Sequence, residues 1–268
     1  MKVLKICTII IALLPLASLA QDFTHTHLLS DSTLQGPQNI HILELEMDIL
    51  EENLEIDMAS SDSILYPTSY FANINTAIAA INGGFFNIKN GGSVTFLEDE
   101  GKQVSHRSWK GDKKPDQKTN FNAALIMTKS GELKIEVIKN STEYLASNNE
   151  EWVFTAGPML LQNGKKSDLL EGSFITKKHP RTALCLKENS ILLITVDGRH
   201  EQAKGASLPE LQNFLQSQKC INAMNLDGGG STTLWMNNEV LNCPSDNKIF
   251  DNKGERKVAN IILIRKVQ

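Results

Sequence analysis

The sequence predicts an α+β fold: a single domain with a mixed or antiparallel sheet built from hairpins, carrying a few packed helices. Three observations predict it. Apolar segments of strand length come in pairs joined by turns of two or three residues. Only two stretches carry helical periodicity. No internal repeat or low-complexity run interrupts the pattern.

The elements follow in order. His41 to Met47 alternates apolar and polar residues, and Leu54 to Ala59 does so more weakly, as half-buried strands do. A helix is expected over Pro67 to Ile78. Phe121 to Met127, a Lys-Ser-Gly turn and Leu133 to Ile138 make a first hairpin. Arg181 to Leu186, a Glu-Asn turn and Ile191 to Val196 make a second. Thr232 to Met236, an Asn-Asn turn and Glu239 to Leu241 make a third. A second helix begins at Ser207, where Ser207 and Glu210 fit a capping box and Leu208, Leu211, Phe214 and Leu215 form one apolar face. Val258 to Ile264 is nearly all apolar and is expected to lie inside a sheet. Residues 21–39 read as a polar lead-in, and Glu98 to Asn120, charged and rich in Gly, Lys and Asp, as a surface loop or flap. The folded domain is therefore placed at 40–268.

Residues 1–20 read as a secretory signal peptide: Lys2 and Lys5, an apolar run Ile6 to Leu14, then small residues before Gln21. This predicts an exported protein, periplasmic or secreted. No later apolar segment is long enough to cross a bilayer. The formal net charge is −4, and it becomes more negative once Lys2 and Lys5 leave with the leader. No basic block stands out, so nucleic acid is not the expected partner. Low aromatic content argues against a long stacking platform for neutral polysaccharide. Cys185, Cys220 and Cys243 remain; a bridge from Cys220 to Cys243 would enclose the glycine-rich motif, and three buried thiols are the alternative. The odd count leaves at least one thiol outside any internal bridge.

Four motifs carry candidate chemistry. The first is Asn225-Leu226-Asp227-Gly228-Gly229-Gly230-Ser231-Thr232, between an apolar run and a strand. Three glycines strip the loop of side chains, so its amide groups can gather around an anion beside Asp227; a tight turn with Asp227 as turn former is the plainer alternative. The second is Val196-Asp197-Gly198-Arg199 at a strand end, where catalytic groups often sit, with a plain turn carrying a solvated acid and base as the alternative. The third is His179-Pro180-Arg181-Thr182, where Arg181 either offers a two-pronged donor to phosphate or is a surface arginine. The fourth is Asn82-Gly83-Gly84-Phe85-Phe86-Asn87: asparagines that can bind hydroxyls, and two aromatics that either line a sugar pocket or fill the core. Glu210 divides between capping the helix and touching substrate.

In this order, NGGFF, HPRTA, VDGR, GASLPEL, NLDGGGST and a closing KVANIILI strand, the chain resembles the phosphodiester glycosidase family across Asn82 to Ile264. The resemblance implies hydrolysis of the bond between a sugar's anomeric carbon and a phosphodiester, in a surface or extracellular glycoconjugate such as a cell-wall, teichoic-acid-like or exopolysaccharide phosphodiester. It places Asp227, Asp197 and Arg181 in the catalytic set. Asn82, Gly83, Phe85, Thr182, Arg199, Glu210, Asn225, Gly228, Gly229, Gly230, Ser231 and Thr232 are the expected substrate-binding positions. Asp227 is read as base or nucleophile, Arg181 and the Gly228–Ser231 amides as holding the phosphate, and Asp197 as orienting Arg199 or serving as second carboxyl. The division between the two aspartates stays open. No cofactor follows from the pattern. A divalent cation, calcium or magnesium, suits aspartates beside asparagine and carbonyl oxygens, but no EF-hand spacing is present. A non-catalytic binder of phosphorylated glycan or exopolysaccharide is the alternative function. A serine hydrolase using Ser231 lacks the GxSxG elbow.

Overall fold

A computed structural model describes residues 23–105 and 120–267; the expected signal peptide and residues 106–119 of the expected flap lie outside them. Among the described residues, three sheets form, and every strand pairing in them is antiparallel. The first has seven strands, in the order Thr24–Leu28, Ile40–Glu46, Ser190–Val196, Arg181–Leu186, Asn222–Asn225, Met159–Gln162 and Lys165–Lys166. The second runs Glu239–Val240, Leu234–Met236, Ala79–Asn82, Asn260–Lys266 and Leu54–Ser60. The third runs Lys102–Gln103, Leu97–Asp99, Glu150–Ala156, Ala123–Thr128 and Leu133–Val137.

The packing explains why several strands read as continuously apolar. Each sheet turns one face to a shared core and the other to a helix. Leu43, Leu184, Leu193, Ile81, Ile262, Leu125 and Phe154, drawn from all three sheets, pack into one central cluster. The alternate residues Ile42, Ala183, Cys185 and Ile194 face outward instead, onto Leu208, Leu211, Phe214 and Leu215 of the helix Leu208–Ser217. Ala80, Ile261 and Leu263 pack against Phe71 and Ala72 of the helix Thr68–Ile74. Ala124 and Val153 pack against Tyr144 of the helix Ser141–Ala146. A strand covered on both faces gains from apolar residues at every position, so its period-two pattern disappears.

The three expected hairpins form. In the third, Asn237 (φ 50°) and Asn238 (φ 69°) both take left-handed backbone, the conformation that a two-residue turn between twisted strands requires. The closing strand Asn260–Lys266 lies inside its sheet, between Ala79–Asn82 and Leu54–Ser60. Ser207 and Glu210 make the reciprocal capping box. The expected helix at Pro67 stops at Ile74, because the following Ala79–Asn82 is a buried strand.

Two expectations need correction. Residues 21–39 are not simply a loose lead-in: Thr24–Leu28 pairs along its whole length with Ile40–Glu46. Its alternating Thr and His side chains hid a strand from a reading that sought apolar residues. His25 and His27 stack against His41, with ring centroids 5.3 and 4.2 Å away. Burial, and then these two neighbours, push His41 down to about 3. The disulfide joins Cys185 to Cys220, and Cys243 is free. The register sets Cys185 opposite Ala223, which brings Cys220, just before that strand, to a Cα separation of 5.7 Å. Closing a loop of 35 residues stabilises the fold by roughly 3–4 kcal/mol.

Candidate active site

The motif residues meet because the three sheets end together. In the first sheet, Ser190–Val196 delivers Asp197, Arg181–Leu186 begins with Arg181, and Asn222–Asn225 leads into Asp227. In the second, Ala79–Asn82 ends at Asn82, beside Asn260 and Thr233. In the third, Glu150–Ala156 runs into Gly157, whose N–H donates to the Asn225 carbonyl (2.9 Å).

Asn82 is the joint between two sheets. Its Nδ2 donates to the Asp227 carbonyl (2.7 Å), and its Oδ1 accepts from Thr182 Oγ1 (2.8 Å) and the Thr233 amide (3.0 Å). Thr182 Oγ1 also reaches Thr232 Oγ1 at 3.3 Å. The Gly83 carbonyl accepts from the Asp227 amide (3.0 Å), and a Cβ on Gly83 would strike Asn260. Asn82, Gly83, Thr182 and Thr232 thus meet as expected, but they hold the Asp227 loop in place and leave no side-chain group turned to a ligand. Asn225 donates to the carbonyls of Gly157 (3.0 Å) and Leu226 (2.6 Å), and its buried Oδ1 has no partner.

Asp227 is partly buried and accepts from the Gly228 amide at 3.0 Å. Burial pushes its carboxyl up to about 6, against the pull of Ser231, Arg256, Gly228 and Arg199. The Ser231 hydroxyl favours the charged form by its nearness, although it makes no hydrogen bond of ordinary geometry.

The glycine loop departs from the expected cradle. The amides of Gly228, Gly229, Ser231 and Thr232 all donate within the protein, to Asp227 Oδ1, the Pro180 carbonyl and the carbonyls of Gly228 and Gly229. That leaves the Gly230 amide without a partner among the described residues. The glycines serve close approach instead. A Cβ on Gly228 would lie 2.6 Å from the Pro180 carbonyl oxygen. Gly229 takes φ +66° with the Arg199 guanidinium pressed against it, 2.8 Å from where its Cβ would be.

Arg181 is 1% exposed. Its Nε donates to the Ala206 carbonyl (2.8 Å) and one terminal nitrogen, Nη2, to the carbonyls of Phe174 (2.7 Å) and Lys177 (3.0 Å). The guanidinium lies 5.1 Å from the Phe174 ring centroid. Among the described residues no carboxylate pairs with it, and Nη1 has no partner. Burial lowers its pKa to about 10, so the charge remains at neutral pH. A buried cation without a counter-ion is costly unless a ligand brings the negative charge. Phe85, half-buried, faces Phe121 (4.8 Å between centroids) and Phe174 (6.1 Å), while Phe86 joins the core under the helix Thr68–Ile74. Phe86 thus takes the core role that its sequence allowed.

Asp197 is 1% exposed, and its carboxylate is occupied. It accepts from Asn242 Nδ2 (2.7 Å), Asn39 Nδ2 (2.6 Å) and the Cys243 amide (2.7 Å). Burial still outweighs these donors and lifts it to about 6. Behind Asn39 stands His27, whose Nε2 is 2.6 Å from Asn39 Oδ1. Glu210 is likewise occupied, by the capping box and by an ion pair with Lys178 at 2.8 Å. Among the described residues no three His, Cys, Asp or Glu side chains converge in a way that could hold a metal ion.

Sequence reasoning missed several residues here. His179, given no role, lies close enough to Arg181 and Arg199 for both to depress its pKa after burial has done so. Arg256, Asn242, Asn39 and Phe174 belong to no local motif and arrive through long-range packing.

Together, the fold and the site define an α+β protein in which the Asp227 carboxyl, with Arg199 and Arg256 acting on it, sits where strands of three sheets end. The sequence pattern of the phosphodiester glycosidase family matches residues 75–265, and the chain belongs to that family. Among its relatives is the N-acetylglucosamine-1-phosphodiester alpha-N-acetylglucosaminidase of Bos taurus, 28% identical over 195 residues, which cover 69% of this chain and 36% of that protein. The Homo sapiens enzyme of the same name is 26% identical over 195 residues, covering 69% of this chain and 37% of that protein. The chain thus spans a little over a third of the length of these relatives. The zebrafish catalytic domain of that enzyme, auto-inhibited by its pro-peptide, superposes with a TM-score of 0.70 at 22% identity, covering 91% of this chain and 82% of that one. An exported protein of unassigned function from Burkholderia pseudomallei K96243 shares the fold with a TM-score of 0.59 at 14% identity, over 86% of this chain and 74% of that one.

Proposed function

We propose that the chain is an exported hydrolase that cleaves the bond between a sugar's anomeric carbon and a phosphodiester in a surface or extracellular glycoconjugate. The observation that carries this reading is the buried Arg181 guanidinium, which has no carboxylate partner among the described residues and whose own Cα adjoins Gly228, in a chain of this family. Nη1 of Arg181, the Gly230 amide and Arg199 hold the phosphate. Phe85 and Phe174 offer apolar faces to the sugar.

Asp227 is the base or nucleophile. The C1–O bond breaks with its electron pair leaving on the phosphate, whose charge the arginines stabilise. Water supplies hydroxide to C1, directly with Asp227 taking its proton or after a glycosyl-Asp227 ester has formed. Phosphate leaves readily, so one carboxylate suffices. Asp197 acts by position: with both oxygens hydrogen-bonded, it ties the strand end that carries Arg199 to the Asn242 turn.

The test is release of free sugar from a panel of sugar-1-phosphodiesters. Because Asp227 works ionised, kcat/KM should rise as pH passes through about 6 and level off above it. Activity greatest below pH 5 and declining through 6 would remove Asp227 from the base role. Saturable binding with no sugar released would favour the non-catalytic glycan binder.

A further inference from the structure

Next to the Asp227 loop lies a second space, which shares Arg199 with the phosphate site described above: a cavity of about 220 Å³ walled in part by Arg199, His200, Lys248, Phe250 and Arg256. It shares a wall with the loop. A Cβ on Gly229 would lie 2.8 Å from Arg199 Nη2, and one on Gly230 would lie 2.6 Å from Arg256 Nη2. Arg199 and Arg256 also pull down the Asp227 pKa, so both charges are felt at the reacting carboxylate.

The lining itself carries more cations than carboxylates, with Asp227 beyond the shared wall. Arg199, Lys248 and Arg256 face a single lining carboxylate, Asp246. Arg256 already engages it through Nε (2.8 Å) and Nη2 (2.6 Å), both to one oxygen. Asp251 stands nearby, hydrogen-bonded to Asn247 and the Lys253 amide. The side chains of Arg199 and Lys248 have no ion-pair or hydrogen-bond partner among the described residues, although the Lys248 amide donates to the Ser245 carbonyl (3.3 Å). Both also hold left-handed backbone, φ 63° and 62°. That conformation costs a long side chain on the order of 1 kcal/mol, and such strain collects where function fixes the chain. The His200 and Phe250 rings stack at 4.8 Å and close one side. The buried Ser245 Oγ is a further unpaired polar atom in the lining. The loop is closed on itself, with the Asp246 amide donating to the Gly254 carbonyl at 3.2 Å.

We propose that this cavity is the aglycone subsite, and that it selects phosphodiesters whose aglycone carries a second compact anion, phosphate or carboxylate, a short link beyond the scissile phosphate. This rests on the phosphodiester reading: with the first phosphate at Arg181 and Asp227, a short aglycone continues past Gly229 and Gly230 into the cationic space. The volume admits a small charged group and excludes a bulky apolar one.

Two measurements decide it. In the first, sugar-1-phosphodiesters bearing an ethyl or a 2-phosphoethyl aglycone are compared. The 2-phosphoethyl diester should give at least tenfold higher kcat/KM, mainly through KM, and Lys248→Ala should shrink that preference at least fivefold. Equal handling of the two diesters, or a preference that survives Lys248→Ala and Phe250→Ala, overturns the subsite. In the second, calorimetry compares ethyl phosphate with ethane-1,2-diyl bisphosphate; the bisphosphate should bind at least tenfold tighter to the parent and lose that margin in Lys248→Ala. If neither diester is turned over, the hydrolase reading fails, and the calorimetry still decides what the cavity binds.

Discussion

Asp227→Asn is expected to lower kcat on a sugar-1-phosphodiester by at least a thousandfold while leaving the protein as stable as the parent or more so. The two halves have one cause. Burial lifts the carboxyl from its ordinary 3.8 to about 6, so the folded protein holds the proton more firmly than the unfolded chain does. The folded state is therefore favoured most below the ordinary carboxylate pKa. That advantage is lost as pH rises through the window from about 4 to 6. At neutral pH the ionised side chain costs the fold roughly 2–3 kcal/mol. An amide of the same shape relieves that cost and retains an oxygen for the Gly228 amide, but it can neither take a proton nor attack carbon. Asp197→Asn sheds a similar burial cost, and its stability turns on the three donors instead. Three donors converge on that carboxylate, and an NH2 in place of one oxygen confronts at least one of them. A loss of about 1–3 kcal/mol in unfolding free energy is expected, with turnover falling only as the site loosens. Denaturant unfolding and kcat measured on both variants separate the roles. Equal activity losses at unchanged stability would put Asp197 in the chemistry after all.

Arg181→Lys should reduce kcat/KM by two to three orders of magnitude and weaken inhibition by inorganic phosphate in parallel. Lysine keeps the charge but not the planar fork. It can replace one of the donors now directed to Ala206, Phe174 and Lys177, and the ammonium then has no counterpart to the Nη1 donor proposed to hold the phosphate. The lost stacking on Phe174 and the abandoned carbonyls cost stability as well, about 2 kcal/mol. Because a purely structural role would predict that second effect alone, the inhibition constant for phosphate is the decisive reading. A phosphate affinity unchanged in Arg181→Lys would mean that the guanidinium only braces its strand.

The sequence made much of the fold legible where local physics dominates. The Asn-Asn turn, the Ser207–Glu210 cap and the continuously apolar closing strand each carry their own cause within a few residues. Ala79–Asn82 and Met159–Gln162 were not seen, because a four-residue buried strand looks the same as any short apolar run. The strand Thr24–Leu28 was hidden by its polar alternation. At the site, Asp227, Arg181 and Arg199 were singled out through their motifs, which the fold brings to neighbouring strand ends, yet the glycine run was misread in part. Its amides turn inward because the loop packs on Pro180, a neighbour 48 residues earlier in the chain that no local pattern shows. Asn39, Asn242 and Arg256 have the same origin: they matter because of where distant strands end.

Because Asn82 bolts the Asp227 loop of one sheet to the rim of another, catalytic geometry here is a property of how the layers are registered. A small slip between layers, too slight to unmake any strand, would separate carboxylate from guanidinium. Removing a single methyl group toward the other end of these strands, as in Ile264→Val, would therefore be felt in turnover before it is felt in melting.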